Sequence, residues 1–115
     1  MNQDLQKIVL VVEDHEEISD NMGAMLIRKG YRVVNAIDAD GAMEAAEQDR
    51  PAMILTDLDL PTLDPLMARL RAHATLKNLL VAVIDIDHPR NLRPDLTILN
   101  NFDELDQFLT SAPVN

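Results

Sequence analysis

Two short stretches of the chain end in acids at places where a carboxylate can do chemistry. In Ile54-Leu55-Thr56-Asp57-Leu58-Asp59-Leu60-Pro61 an apolar run stops on Asp57, and in Ile8-Val9-Leu10-Val11-Val12 a second run stops on Glu13 and Asp14. Asp57 can be a metal ligand, a nucleophile or a solvated loop group. If the two runs lie side by side, three acids converge on one small site. Such a cluster is costly unless a divalent cation sits in it or some carboxyls keep their protons. The chain has no cysteine, and the sequence places no histidine where it must join the acids. Hard oxygen ligands point to magnesium or manganese, and calcium fits less well because too few ligands are in view.

The elements that must position these acids follow from hydrophobic pattern. Ala52 to Leu55 reads as a buried strand that Pro61 prevents from continuing, which puts Asp57 at a strand's carboxyl end. Lys7 to Val12 is too continuously apolar for a half-exposed strand and too short for a confident helix. Glu16 to Lys29 carries Ile18, Met22, Met25 and Leu26 at helical spacing, and Gly30 stands where a left-handed cap is usual. Tyr31 to Ile37 suits a strand, and Asp38 or Asp40 can cap a second helix through Gln48. A third helix is expected from Pro65 to Ala74, a fourth strand from Leu79 to Ile84, a fifth from Leu96 to Leu99, and a last helix from Asp103 to Thr110 burying Leu105, Phe108 and Leu109. The methionines fall at core spacings and read as packing. Strand and helix alternate, which implies a parallel sheet covered on both faces. In such sheets ligands bind outside the carboxyl ends of the strands.

Composition bounds what the site belongs to. With 115 residues and a formal net charge of −10, the chain reads as one domain, 1–115, with no output domain. The charge disfavours direct nucleic-acid binding. No stretch approaches membrane-spanning length, and Met1-Asn2-Gln3-Asp4 lacks the basic region of a signal peptide. Absence of cysteine accords with a reducing cytoplasm.

Taken together, Val9-Leu10-Val11-Val12-Glu13-Asp14, the helix after it, Ala39-Asp40-Gly41-Ala42-Met43-Glu44-Ala45 and Ile54 to Pro61 resemble the receiver domain of two-component response regulators. The resemblance covers nearly the whole length. It implies a flavodoxin-like five-stranded sheet of order 2-1-3-4-5. It also implies that Asp57 accepts a phosphoryl group from a phosphohistidine on a sensor histidine kinase or phosphotransfer protein. Mg2+ would be held by Asp14, Asp57 and the backbone carbonyl of Asp59, with Glu13 binding through water.

Three departures from the family pattern stand beside the match. Receivers usually carry serine or threonine at the end of the fourth strand and lysine at the end of the fifth; here these positions align with Asp85 and Asn100, and the usual aromatic of the fifth strand aligns with Thr97. An amide donates a hydrogen bond but no charge. An inward Asp85 would repel a phosphoryl group at about 6 Å by on the order of 2 to 3 kcal/mol per unit charge at an effective dielectric near 20. Second, Pro89 and Pro94 leave room for little more than a turn between strands four and five, so the helix expected there is shortened or absent. Part of one sheet face would then be open to a downstream protein partner or a second copy. Third, Pro65 stands where a glycine commonly follows the residue matched by Asp64.

Rival readings were weighed on the same residues. A pseudo-receiver would keep the pocket and signal by binding without phosphorylation. Asp57-Leu58-Asp59 also resembles the acid pair of aspartate-dependent phosphatases, but Leu60-Pro61 follow it and no cap domain fits in this length. His15, next to the acids, is a candidate ligand, but at a helix start it reads more often as a solvated side chain. His73 and His88 have no phosphotransfer context, and Arg69, Arg71, Arg90 and Arg93 read as surface.

Overall fold

A computed structural model describes residues 7–57, 63–85 and 96–110. The elements run in the order β1 (Ile8–Val12), α1 (Glu16–Arg28), β2 (Arg32–Ala36), α2 (Ala39–Asp49), β3 (Met53–Asp57), α3 (Leu63–Ala72), β4 (Leu80–Ile84), β5 (Thr97–Leu99) and α4 (Phe102–Thr110). All strand pairs are parallel and the sheet order is β2-β1-β3-β4-β5, the flavodoxin-like receiver topology expected from the sequence.

The strands read as unbroken apolar runs because both faces of the sheet are covered. Successive side chains of a strand point to opposite faces. Leu10, Val12 and Ile54 pack under α2 and α3 with Ala42, Ala46, Leu66 and Leu70. Val9, Val11, Met53 and Leu55 pack under α1 and α4 with Met22, Leu26, Leu105 and Leu109. Each fully buried Leu contributes roughly 1.5 to 3 kcal/mol relative to exposure.

Local signals set the helix ends. After α1, Gly30 has φ 94. The Gly30 N–H donates to the Ile27 carbonyl at 3.0 Å and the Tyr31 N–H to the Leu26 carbonyl at 3.0 Å, the paired bonds of a glycine-terminated helix. Of the two expected caps for α2, Asp38 does the work: its Oδ1 accepts from the Gly41 N–H at 2.8 Å. α3 begins before Pro65, whose missing N–H is harmless in a first turn. It ends short of Ala74 because the His73 ring nitrogen Nδ1 accepts from the Thr75 N–H at 3.2 Å and turns the chain. α4 starts one residue before the expected Asp103, capped by Asn101, whose Oδ1 accepts from the Glu104 N–H at 2.8 Å. Phe108 is only half-buried there.

The expected loss of a helix between strands four and five falls on residues 86–95, outside the described residues; neither Asp85 nor Leu96, which flank them, is helical. The open sheet face expected from that loss is not found at β4, because Val81 and Val83, on the α2/α3 side, are both buried. Only at β5 does this face loosen, where Ile98, the register partner of Val83, is half-buried.

Candidate functional site

Parallel pairing brings the two acid-bearing strand ends together. Val12 lies opposite Thr56 across β1 and β3, so Glu13 and Asp57, each one residue further, are neighbours at the carboxyl edge of the sheet. On the other side Asp57 is opposite Ile84 of β4, which brings Asp85 to the same edge. The Asp85 N–H donates to the Leu99 carbonyl at 2.8 Å, so Asn100 follows beside it. The Glu13 N–H donates to the Ala36 carbonyl of β2 at 3.0 Å. The edge formed by four strands therefore collects Glu13, Asp57, Asp85 and Asn100.

Glu13 is buried, 3% exposed. Its Oε2 accepts from the His15 backbone N–H at 3.0 Å and lies 3.1 Å from His15 Nδ1. Its Oε1 is buried without a hydrogen-bond partner. Burial pushes the Glu13 carboxyl up to about 7, with the adjacent Asp57 adding to the rise and the bonds from His15 opposing it. The His15 ring also lies 3.1 Å from Asp14 Oδ1, and its pKa is raised, first by the bond to Glu13 and then by the charge of Asp14. The ring thus bridges two carboxylates while 70% of its side chain stays exposed.

Ligand atoms of Glu13, His15 and Asp57 all lie within 4.8 Å of one another, a spacing that suits one bound cation. Asp14, expected as a principal ligand, stands beside this trio with its side chain 47% exposed. Asp59, whose carbonyl was expected as a ligand, lies outside the described residues. Of the three positions that the sequence reading aligned with the family's switch residues, Asp85 is 1% exposed. Asn100 keeps its Oδ1 buried without a partner, and its backbone N–H donates to Glu104 Oε1 at 2.8 Å. Thr97 is exposed. Sequence reasoning weighed His15 as a ligand and preferred a solvated side chain. The signal available was its place two residues after the first acid, within reach of that carboxylate once the strand ends.

A cleft of about 360 Å³ opens beside the acids, with Glu13, Asp14, Glu16 and Asp20 among its walls and Ile37 on its rim. Ser19 Oγ donates to Asn35 Oδ1 at 2.9 Å across it, joining α1 to β2. A larger cavity of about 560 Å³ lies at the opposite end of the sheet, lined by Pro51 and Leu79, which precede β3 and β4. The concentration of acids, not cavity size, marks the site.

Comparison with known proteins agrees with this geometry. The transcriptional regulatory protein PhoP for alkaline phosphatase synthesis in Bacillus subtilis strain 168 is 40% identical over 60 residues, 52% of this chain and 25% of that protein. The chain therefore spans about a quarter of the length of the curated relatives it matches. A CheY-like receiver domain from Methylobacillus flagellatus has a TM-score of 0.78 at 18% identity, covering 96% of this chain and 99% of that one. The receiver domain of the sensor histidine kinase PA1611 of Pseudomonas aeruginosa PAO1, with a magnesium ion coordinated in its active-site cleft, has a TM-score of 0.77 at 23% identity, covering 91% and 95% of the two chains. At these identities the two structures speak for the fold. The profile of the response regulator receiver domain matches residues 9–91, and with the sheet order and the convergent strand-end acids this chain belongs to that family.

Proposed function

We propose that this receiver domain accepts a phosphoryl group on Asp57 from a phosphohistidine of a sensor kinase or phosphotransfer protein, with a divalent cation bound beside it, and that its output is a protein–protein interaction. The observation that carries the reading is the juxtaposition of Asp57 with buried Glu13 across the β1–β3 pair. An Asp57 carboxylate oxygen attacks phosphorus in line, the P–N bond breaks, and the imidazole of the donor leaves, so that an acyl phosphate forms. Carboxylates are weak nucleophiles, but phosphoryl transfer depends mainly on positioning and on neutralising the equatorial oxygens. A magnesium ion, when bound, supplies that neutralisation. The orphaned Glu13 Oε1 and the clustered carboxylates suit such an ion, with Glu13, Asp57 and the adjacent Asp14 the residues to hold it.

Intact mass after incubation with Mg2+ and a small phosphodonor tests the reading. One phosphoryl group should be gained by the wild type and none by Asp57→Ala. An unmodified wild type would instead favour the pseudo-receiver, a domain that signals by binding alone. The second reading draws on Asp85, a buried acid at the strand edge where the family carries a hydroxyl. Beryllofluoride, a phosphoryl mimic, separates the two because a pocket closed to added negative charge will not bind it.

A further inference from the structure

We propose that His15 is a ligand of the cation at this centre, and that its imidazole shifts the preference of the site from Mg2+ toward borderline first-row ions such as Co2+ and Zn2+. The inference rests on the reading of the strand-end acids as a cation site, and adds to it a residue that selects the metal.

The spacing is that of a single coordination sphere. Bonds of about 2.1 Å at right angles place neighbouring ligand atoms about 3 Å apart and opposed ones about 4.2 Å apart. His15 Nδ1 and Glu13 Oε2 are 3.1 Å apart, and both lie within 4.8 Å of an Asp57 carboxylate oxygen. The Glu13–His15 pair is at the separation of adjacent ligands, and Asp57 is within one side-chain adjustment of joining them. The loop is already held, because the His15 N–H donates to the same Glu13 oxygen at 3.0 Å. A second observation points to a guest: Glu13 Oε1, on a side chain with no solvent exposure, has no hydrogen-bond partner. A buried carboxylate oxygen left so is expensive, and a cation would satisfy it.

The donor type then decides which cation. Mg2+ prefers oxygen ligands and gives up its waters reluctantly. Imidazole nitrogen suits the later first-row ions such as Co2+ and Zn2+, while Mn2+ sides with Mg2+ in favouring oxygen. Coordination through Nδ1 uses the neutral ring with its proton on Nε2, and the exposure of the ring allows an ion to approach from solvent. Two oxygen donors and one nitrogen donor leave positions for water or for a phosphoryl oxygen.

Titration calorimetry with Mg2+, Mn2+, Co2+ and Zn2+, joined to the visible absorption of bound Co2+, tests this on the purified chain and on His15→Ala and Asp57→Asn. His15→Ala should weaken Co2+ and Zn2+ binding roughly tenfold or more and Mg2+ binding by less than about threefold, and should alter the Co2+ spectrum. Unchanged Co2+ and Zn2+ affinity in His15→Ala, with Asp57→Asn still weakening both, would overturn the role of His15 while leaving the cation site standing. Tighter binding of every ion in His15→Ala would also overturn it, since the ring would then be competing with the cation for the acids. If the wild type binds none of the four ions, or if Asp57→Asn changes nothing, the cation site itself is wrong. His15 is exposed and makes no side-chain capping bond, so its replacement does not threaten the fold.

Discussion

Replacing Glu13 with glutamine should make the domain more stable, by an amount that depends on pH. The wild-type carboxyl is buried beside Asp57 and is pushed from its ordinary value of 4.5 up to about 7. Because the folded value lies above the unfolded one, the favourable contribution of the bound proton is fully present below about pH 4.5 and is lost as pH rises through 7. At 1.36 kcal/mol per pKa unit the shift corresponds to about 3 kcal/mol once the group is ionised. Glutamine carries no charge at any pH and keeps a carbonyl oxygen to accept the His15 N–H. Glu13→Gln should therefore gain about 1 kcal/mol at pH 5, where the wild-type group is mostly protonated, and about 3 kcal/mol at pH 8. Urea unfolding at the two pH values, without divalent ions, measures both. The His15 ring is held above the usual imidazole value, chiefly by the bond to Glu13, so the comparison is repeated in a His15→Ala background. Saturating divalent cation should narrow the gap at pH 8 by stabilising the wild type alone. A gain that is the same at pH 5 and pH 8, or a variant less stable than wild type at pH 8, would refute the claim that an ionised Glu13 is the strained partner of Asp57.

Other substitutions probe the frame and the altered switch. Gly30→Ala meets no atom within 4 Å, so its cost is that of the left-handed backbone at φ 94, about 1 to 2 kcal/mol in thermal or urea unfolding. Arg50→Gly should do the reverse, because Arg50 holds φ 51 at the end of α2 without being a glycine; a gain of up to about 1 kcal/mol is expected. Asp38→Ala removes the bond to the Gly41 N–H and should cost about 1 kcal/mol. Asp85→Thr replaces a buried acid at the strand edge with a hydroxyl; beryllofluoride binding measured by calorimetry should tighten on the order of tenfold or more.

Much of the architecture was legible because each element carries one dominant signal. Val9 to Val12 and Ile54 to Leu55 are apolar on both faces, which suits only a strand sandwiched between helices. Gly30 and Asp38 have side chains, or lack them, in ways that suit a single role at a helix end. The convergence of Glu13 and Asp57 was legible for the same reason, since parallel strands of similar length that end in acids present them at one edge. What stayed hidden depended on geometry between residues. Nothing in the sequence marks Arg50 as left-handed. His15 was read as solvated because its exposure is real; its approach to two carboxylates comes from the turn after β1 and not from residue type. The burial of Val83 was missed because loss of cover over β4 was inferred from a missing helix, and Asn101 was missed as a cap because the last helix was started at Asp103.

The Ala36 carbonyl that receives the Glu13 N–H, and the ladder joining β1 to β3, leave the two acids no mechanical outlet. Carboxylates on a loose loop can swing apart when both ionise. Glu13 follows β1 directly and Asp57 closes β3, paired with Ile84 of β4, so separating their backbones would mean unzipping the middle of the sheet. Their mutual repulsion is discharged by a proton or an incoming cation and not by recoil, so filling this edge relieves a load that the paired central strands would otherwise carry.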